Sequence, residues 1–352
     1  MSKQQALVIL SPGFPANEDD TACIPPQQVF VRALKQHNPR LNIVVVSFQY
    51  PFTTMNYEWF EVEVIALGGK ARGGPYRLLT WQRALRVLKD LNKKYEITGL
   101  LSFWLGECAL IGNRFARKNN LKHYCWMLGQ DARAGNNYVK QIKPDGNRLI
   151  ALSDFLVREF NTNYGIKATH VITPGVDTSL FEPLGTSVRD IDVMGAGSLI
   201  PLKQYELFIN VIKKLVLTFP DIKAIICGKG PEMGQLQKQI IRLNLTNNIE
   251  LKGELPHREV LKLMQRSKVF LHTSAYEGYG MVLNEALYAG AHVVSLVNPM
   301  DERHANHHVQ DNAESIPDII KDLLNKTDNV YEPVLIYPIQ TVVAKVMALF
   351  TH

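Results

Sequence analysis

The chain has 352 residues, 46% of them hydrophobic and 20% charged, more than one hydrophobic core usually serves, so two domains are expected. Its densest apolar run, near residues 41–48, has strand length and falls far short of the roughly 20 residues that cross a bilayer as a helix. The net charge of +6 is uneven: residues 1–173 carry 22 Lys and Arg against 13 Asp and Glu, residues 174–352 carry 17 against 20. The basic first half suits an anionic acceptor or membrane surface, or is simply a solvated face. Its cations are dispersed, with no helix-turn-helix, zinc-finger or RNP-type pattern, so nucleic acid is not an expected partner.

In chain order, Met1-Ser2-Lys3-Gln4-Gln5 leads straight into a strand pattern at 6–10 with no apolar leader, and no signal peptide is expected. Further strands are expected at 43–48, 62–67, 99–104, 123–128, 148–152 and 170–173, with helical periodicity at 27–37 and 80–94. The second half restarts with strands at 191–194, 223–227, 249–252, 269–272 and 292–296, and helices at 204–218, 232–243, 258–265, 281–289 and 315–324. Such alternation specifies parallel sheets with crossover helices, hence an α/β chain of two doubly wound domains. Turn residues place the linker near 174–188. The expected domains are therefore 1–173, 174–337 and a terminal helical segment 338–352, which is expected to pack against the body of the protein and is a candidate to return to the first domain.

Four cysteines, Cys23, Cys108, Cys125 and Cys227, show no CxxC pair or metal spacing and read as reduced thiols of a cytoplasmic protein. Glu18, Asp19 and Asp20 precede the first helix and are expected to favour its N-terminus. The string from His304 to His308 suggests zinc, but no cysteine or spaced carboxylate completes a ligand set, so a surface loop is expected. Trp59, Trp81, Trp104 and Trp126 are read as core or wall aromatics, Trp104 also as a candidate for the acceptor cleft.

The segment Glu277-Gly278-Tyr279-Gly280-Met281-Val282-Leu283-Asn284-Glu285 follows a strand and opens a helix. In an open α/β sheet that crevice is where ligands bind. Glycines admit close backbone approach, and the free amides of a helix start attract a diphosphate. Glu277 and Glu285 repel phosphate but hold sugar hydroxyls by charge-assisted hydrogen bonds. Together they suggest a sugar-bearing anion as ligand.

This Glu-x7-Glu segment resembles the donor signature of the retaining GT-B glycosyltransferases, family GT4. Gly228-Lys229-Gly230-Pro231 resembles that family's GxGP turn, 251–255 its strand before the base pocket, and Gly175-Val176-Asp177 with Phe181 its interdomain segment. The resemblance implies two Rossmann-like domains facing across a cleft. It implies that Glu285 binds ribose hydroxyls, Glu277 the transferred sugar, and the backbone of Gly278, Tyr279, Gly280, Met281 and Val282 the phosphates. Gly197, Ser198, Gly228, Lys229 and Leu255 complete the donor site. Lys203 matches the lysine that stabilises the departing diphosphate, a term aimed at developing charge. The family's arginine before it is replaced by Ser198, with Lys229 a candidate substitute. In the first domain Gly13, Gln130 and Trp104 are implied for the acceptor, and Leu128 stands where the family places a histidine, leaving Asp131 as a candidate catalytic group.

The implied activity is transfer of a sugar from a UDP- or GDP-sugar to a glycan, lipid-linked or small-molecule acceptor, with retention, no metal and no cofactor. The setting is cytoplasmic or peripheral at the inner face of the plasma membrane. The alternatives are a nucleotide-sugar 2-epimerase of the same fold and a non-catalytic nucleotide-sugar binder.

Overall fold

The computed structural model describes residues 3–183, 188–304, 306–326 and 330–351. Leu184, Gly185, Thr186 and Ser187 of the expected linker, and Ala305 of the histidine string, lie outside the described residues. The chain divides into two compact units, Met1–Gly175 with Ile339–His352, and Val176–Pro338.

The first unit runs β1 (Gln5–Gly13), α1 (Pro25–His37), β2 (Asn42–Tyr50), β3 (Met55–Trp59), β4 (Val62–Ala66), α2 (Gly74–Lys94), β5 (Glu96–Phe103), α3 (Glu107–Asn119), β6 (His123–Trp126), α4 (Asn137–Ile142), β7 (Leu149–Ala151), α5 (Asp154–Tyr164) and β8 (His170–Val171). Its sheet order is β3-β4-β2-β1-β5-β6-β7-β8. β1 lies between β2 and β5 and is buried on both faces from Ala6 to Ser11, which is why it reads as an unbroken apolar run rather than an alternation. One strand departs from the expected parallel order: β3 pairs antiparallel to β4. Its polar sequence, MNYEW, suits an edge and gives no apolar signal of its own.

The acidic loop also differs from expectation. α1 starts only at Pro25, with no acidic residue in its first turn. Asp20 instead receives the Tyr50 hydroxyl at 2.8 Å and the Ala16 amide at 3.1 Å, and Glu18 receives the Phe60 amide at 3.1 Å. These carboxylates brace loops against one another.

The second unit runs β9 (Ile191–Ala196), α6 (Tyr205–Leu215), β10 (Ala224–Cys227), α7 (Met233–Arg242), β11 (Ile249–Gly253), α8 (His257–Gln265), β12 (Ser267–His272), α9 (Met281–Tyr288), β13 (His292–Ser295), β14 (His307–Val309) and α10 (Ile316–Asn325). The sheet is wholly parallel, ordered β11-β10-β9-β12-β13-β14. His307 and His308, expected in a surface loop, belong to the edge strand β14. A last helix, α11 (Ile339–Ala348), belongs to the first unit. It packs on α1 and buries Ile339, Val342, Val343 and Val346.

Candidate functional site

In the second sheet the strand order reverses between β9 and β12, and the crevice beyond their C-terminal ends is the expected ligand position. Lys203 lies in the turn after β9 and Glu277 in the loop after β12. The two loops are stitched together: Thr273 Oγ1 donates to the Lys203 carbonyl at 2.7 Å, and the Ala275 amide to the Leu202 carbonyl at 3.0 Å.

That backbone seam brings Lys203 Nζ onto Glu277 Oε1 as an ion pair across 74 positions of sequence. His272 Nε2 and Ser274 Oγ reach the same oxygen at 3.1 and 3.0 Å, while the other carboxylate oxygen takes no protein hydrogen bond among the described residues. Burial works against the Glu277 charge, but the hydrogen bond from His272 and the Lys203 charge outweigh it and hold the carboxyl at about 2. Burial conversely pushes the His272 ring down, so the neutral imidazole donates its Nε2–H to an ionised carboxylate.

Glu285 sits on α9, 7% exposed, and its Oε1 meets His257 Nε2 at 2.7 Å. His257 opens α8. Burial disfavours its charge, yet the Glu285 carboxylate, helped by Asp177, raises its pKa. The neighbouring carboxylate thus favours the imidazolium form of His257. Between the two glutamates Gly280 adopts φ +77° and no side chain caps α9. The Leu283 amide turns back to the Gly280 carbonyl at 2.9 Å, and the preceding amides of Met281 and Val282 have no intrahelical acceptor. The Tyr279 ring is buried and its hydroxyl accepts from Asn284, which leaves its backbone as the part that faces the crevice's helix start.

Glycine is required where the strand ends crowd together. A Cβ on Gly228, which has φ +148°, would lie 1.8 Å from the Gly197 carbonyl oxygen. The Gly197 amide bonds the Cys227 carbonyl at 2.9 Å and the Gly228 amide the Gly253 carbonyl at 2.7 Å. Ser198 is exposed, Leu255 is half-buried against the core, and Lys229 is ion-paired with Glu254.

In the first sheet the order reverses between β1 and β5. Gly13 ends β1, and Trp104 follows β5 with φ +64°, a conformation that is unusual for a bulky residue. Gln130 is exposed in the turn after β6. Asp131, expected in the catalytic group, is 5% exposed, and its Oδ2 accepts the amides of Leu128 at 2.8 Å and Leu105 at 2.9 Å. Burial outweighs both bonds and raises its carboxyl to about 6. The sequence reading passed over His257, His272 and Ser274 as site residues. Their polar types at a helix start and a strand end were visible, but only the fold shows which carboxylates they serve. Among the described residues no cluster of three or more His, Cys, Asp or Glu is arranged to hold a metal.

A chain of two α/β units, with a lysine, two glutamates and an uncapped helix start at one sheet's reversal, is built like a GT-B glycosyltransferase. Residues 177–331 match the family model "Glycosyl transferases group 1", and the second unit belongs to that family. Among curated proteins, the chain is 30% identical over 143 residues to the phosphatidylinositol N-acetylglucosaminyltransferase gpi3 subunit of Schizosaccharomyces pombe, covering 38% of this chain and 31% of that protein. It is 31% identical over 106 residues to the 2-deoxystreptamine N-acetyl-D-glucosaminyltransferase of Niallia circulans, covering 30% and 27%. The match thus spans about three-tenths of these relatives' length. Over the whole chain the fold is that of Anabaena Alr3699/HepE, solved with UDP-glucose, at a TM-score of 0.71, 17% identity, and 98% and 99% coverage. TarM superposes at 0.74 with 13% identity over 100% and 99% of the two chains.

Proposed function

We infer that the chain transfers a sugar from a nucleotide-sugar held by the Val176–Pro338 unit to a glycan or lipid-linked acceptor recruited by the basic first unit. The observation that carries this is the convergence of Lys203, His272 and Ser274 on one oxygen of Glu277, at the reversal of the second sheet. Lys203 is held by a carboxylate that an incoming diphosphate replaces. The lysine then neutralises the charge that develops on the leaving phosphate as the glycosidic bond breaks, aided by the amides at the start of α9. Glu277, freed of its cation and still anchored by His272 and Ser274, offers its carboxylate to hydroxyls of the transferred sugar. Glu285, steadied by His257, does the same for the ribose. These groups perform the work for which other enzymes recruit a divalent ion, so the proposal is metal-free transfer with retention from a UDP- or GDP-sugar.

No helix among the described residues is long and apolar enough to cross a membrane. In this reading the basic first unit brings the chain to a lipid-linked acceptor at the membrane surface. The direct test is a thermal-shift screen against UDP-, GDP- and ADP-sugars. A ligand at 100 times its Kd stabilises the native state by about 2.7 kcal/mol, which names base and sugar before any acceptor is known. If no nucleotide-sugar raised the melting temperature, the reading would fall.

A further inference from the structure

α2 has 21 residues, but its first buried side chain is Thr80, followed by Ala84, Leu88 and Leu91 on one stripe. Before that stripe begins, ten consecutive residues, 70–79, are all exposed. The opening turns of the helix therefore have no core to cover, and yet they carry Tyr76, Leu78 and Leu79, exposed by 57%, 55% and 49%. An amphipathic helix ordinarily turns such side chains inward.

Phe52, 56% exposed, comes from a neighbouring loop tied to the same place. The amides of Lys70 and Ala71 bond the backbone and side-chain oxygens of Gln49 at 3.0 and 2.8 Å. Gly68 packs so closely on Thr53 and Thr54 that a Cβ would lie 2.9 Å from the Thr54 nitrogen. Four large apolar side chains thus stand at one end of the first unit.

Along the chain the charge here has one sign, while the carboxylate that meets this end, Glu107, is taken up by hydrogen bonds from Gln49 and Trp81. Between Glu63 and Asp90 the sequence holds Lys70, Arg72, Arg77, Arg83, Arg86 and Lys89 and no acidic residue. Arg72 lies 5.2 Å from the centre of the Tyr76 ring, and so a cation and an aromatic, the pair suited to a headgroup boundary, share one turn.

We propose that residues 70–79 and Phe52 form a wedge that inserts into the headgroup region of a bilayer rich in anionic phospholipid. Exposed apolar side chains interspersed with cations on the opening turns of a helix match that interface. A bilayer is favoured over an acidic protein partner because the apolar groups and cations alternate along ten consecutive exposed residues instead of gathering into one apolar face. The inference gives the membrane contact of the proposed function a location. It does not depend on the sugar chemistry, since vesicle binding without donor and donor binding without vesicles can fail separately.

The test is sedimentation of the full chain with phosphatidylcholine vesicles with and without phosphatidylglycerol. Binding is expected only with the anionic lipid and should weaken as salt is raised. Lys70→Gln with Arg72→Gln and Arg77→Gln should lower vesicle affinity on the order of a hundredfold, at about fivefold per cation. Leu78→Ser with Leu79→Ser should lower it at least tenfold. A control, Leu217→Ser at an 87% exposed position of the second unit, should bind as the parent does. All sites are exposed, so equal melting temperatures will exclude misfolding. Absence of vesicle binding, equal binding to neutral vesicles, or unaltered binding by the leucine variant would each overturn the wedge.

Discussion

Glu285→Gln tests the proposed donor site at less cost to folding than Glu285→Ala, although it too gives up the ion pair with His257. Glu285→Ala would strand His257, which now meets the Glu285 carboxylate at 2.7 Å in a nearly closed environment, and losing that charged hydrogen bond costs about 1.5–3 kcal/mol of stability. Glutamine keeps the volume and leaves one carbonyl oxygen for His257. The change then falls on the ligand. The remaining position turns from a charged acceptor into an amide donor, so hydrogen bonds from ribose hydroxyls lose both their charge assistance and their polarity. Two weakened bonds amount to about 2–3 kcal/mol, or a Kd raised roughly 30- to 150-fold. Isothermal titration with the nucleotide-sugar found by the screen, the matching nucleoside diphosphate and pyrophosphate separates the contributions. The first two should weaken together, because both carry the ribose, while pyrophosphate should bind as before. Equal weakening of all three would make Glu285 a general support of the pocket, and unchanged binding of all three would remove it from the site.

Further expectations concern its neighbours. His257→Gln should flatten the dependence of melting temperature on pH. The His257 pKa is raised above its ordinary 6.5, so the ion pair's stabilisation is complete below about 6.5 and is lost as pH rises through the folded-state value; a variant with the parent's slope from pH 6 to 8 would contradict the pairing. Lys203→Met should lower kcat by about 10²–10³ with a smaller change in donor Kd, and equal losses would reduce the lysine to a binding group. The same variant should move acid unfolding to higher pH, because Glu277 contributes stability above 4.5 that is lost as pH falls towards its folded value of about 2. Asp131→Asn should raise stability at pH 8 by about 1–3 kcal/mol and be near neutral at pH 4, since the carboxyl is raised from 3.8 to about 6 by burial and the cost of its charge builds across that interval and is complete above it. Retained turnover would assign Asp131 to loop bracing, and abolished turnover to the reaction. Gly228→Ala, forced against the Gly197 carbonyl, should lower the urea midpoint by the equivalent of about 3 kcal/mol or more.

The parts of this molecule legible in the sequence are those that local physics dictates. β1, β10, β12 and β13 carry short apolar runs because parallel strands covered on both faces must, and the glycines at 278 and 280 mark a strand giving way to a helix whatever follows. β3 was illegible because an edge strand with polar residues alternates too weakly to be seen, and β14 because two of its three residues are histidines, whose side chains resemble a loop's until the neighbouring β13 supplies the pairing. The same division runs through the site. Glu277 and Glu285 were visible from spacing, but their partners were not, since Lys203 reaches Glu277 only through the seam from Thr273 and Ala275 to the loop after β9, and His257 reaches Glu285 only because α8 and α9 pack together. This has a chemical consequence that the motif alone does not carry. On the proposed reading, the cation that would meet the diphosphate and the carboxylate that would meet the sugar neutralise each other before the donor enters, so neither stands as an unpaired charge in a semi-buried site. Donor entry must therefore break an ion pair to make two new contacts, and it follows that Glu277→Gln, which frees Lys203 beforehand, should bind a nucleoside diphosphate more tightly than the parent while losing transfer. If the variant bound the diphosphate no better, the Lys203–Glu277 pair would not be what the donor displaces.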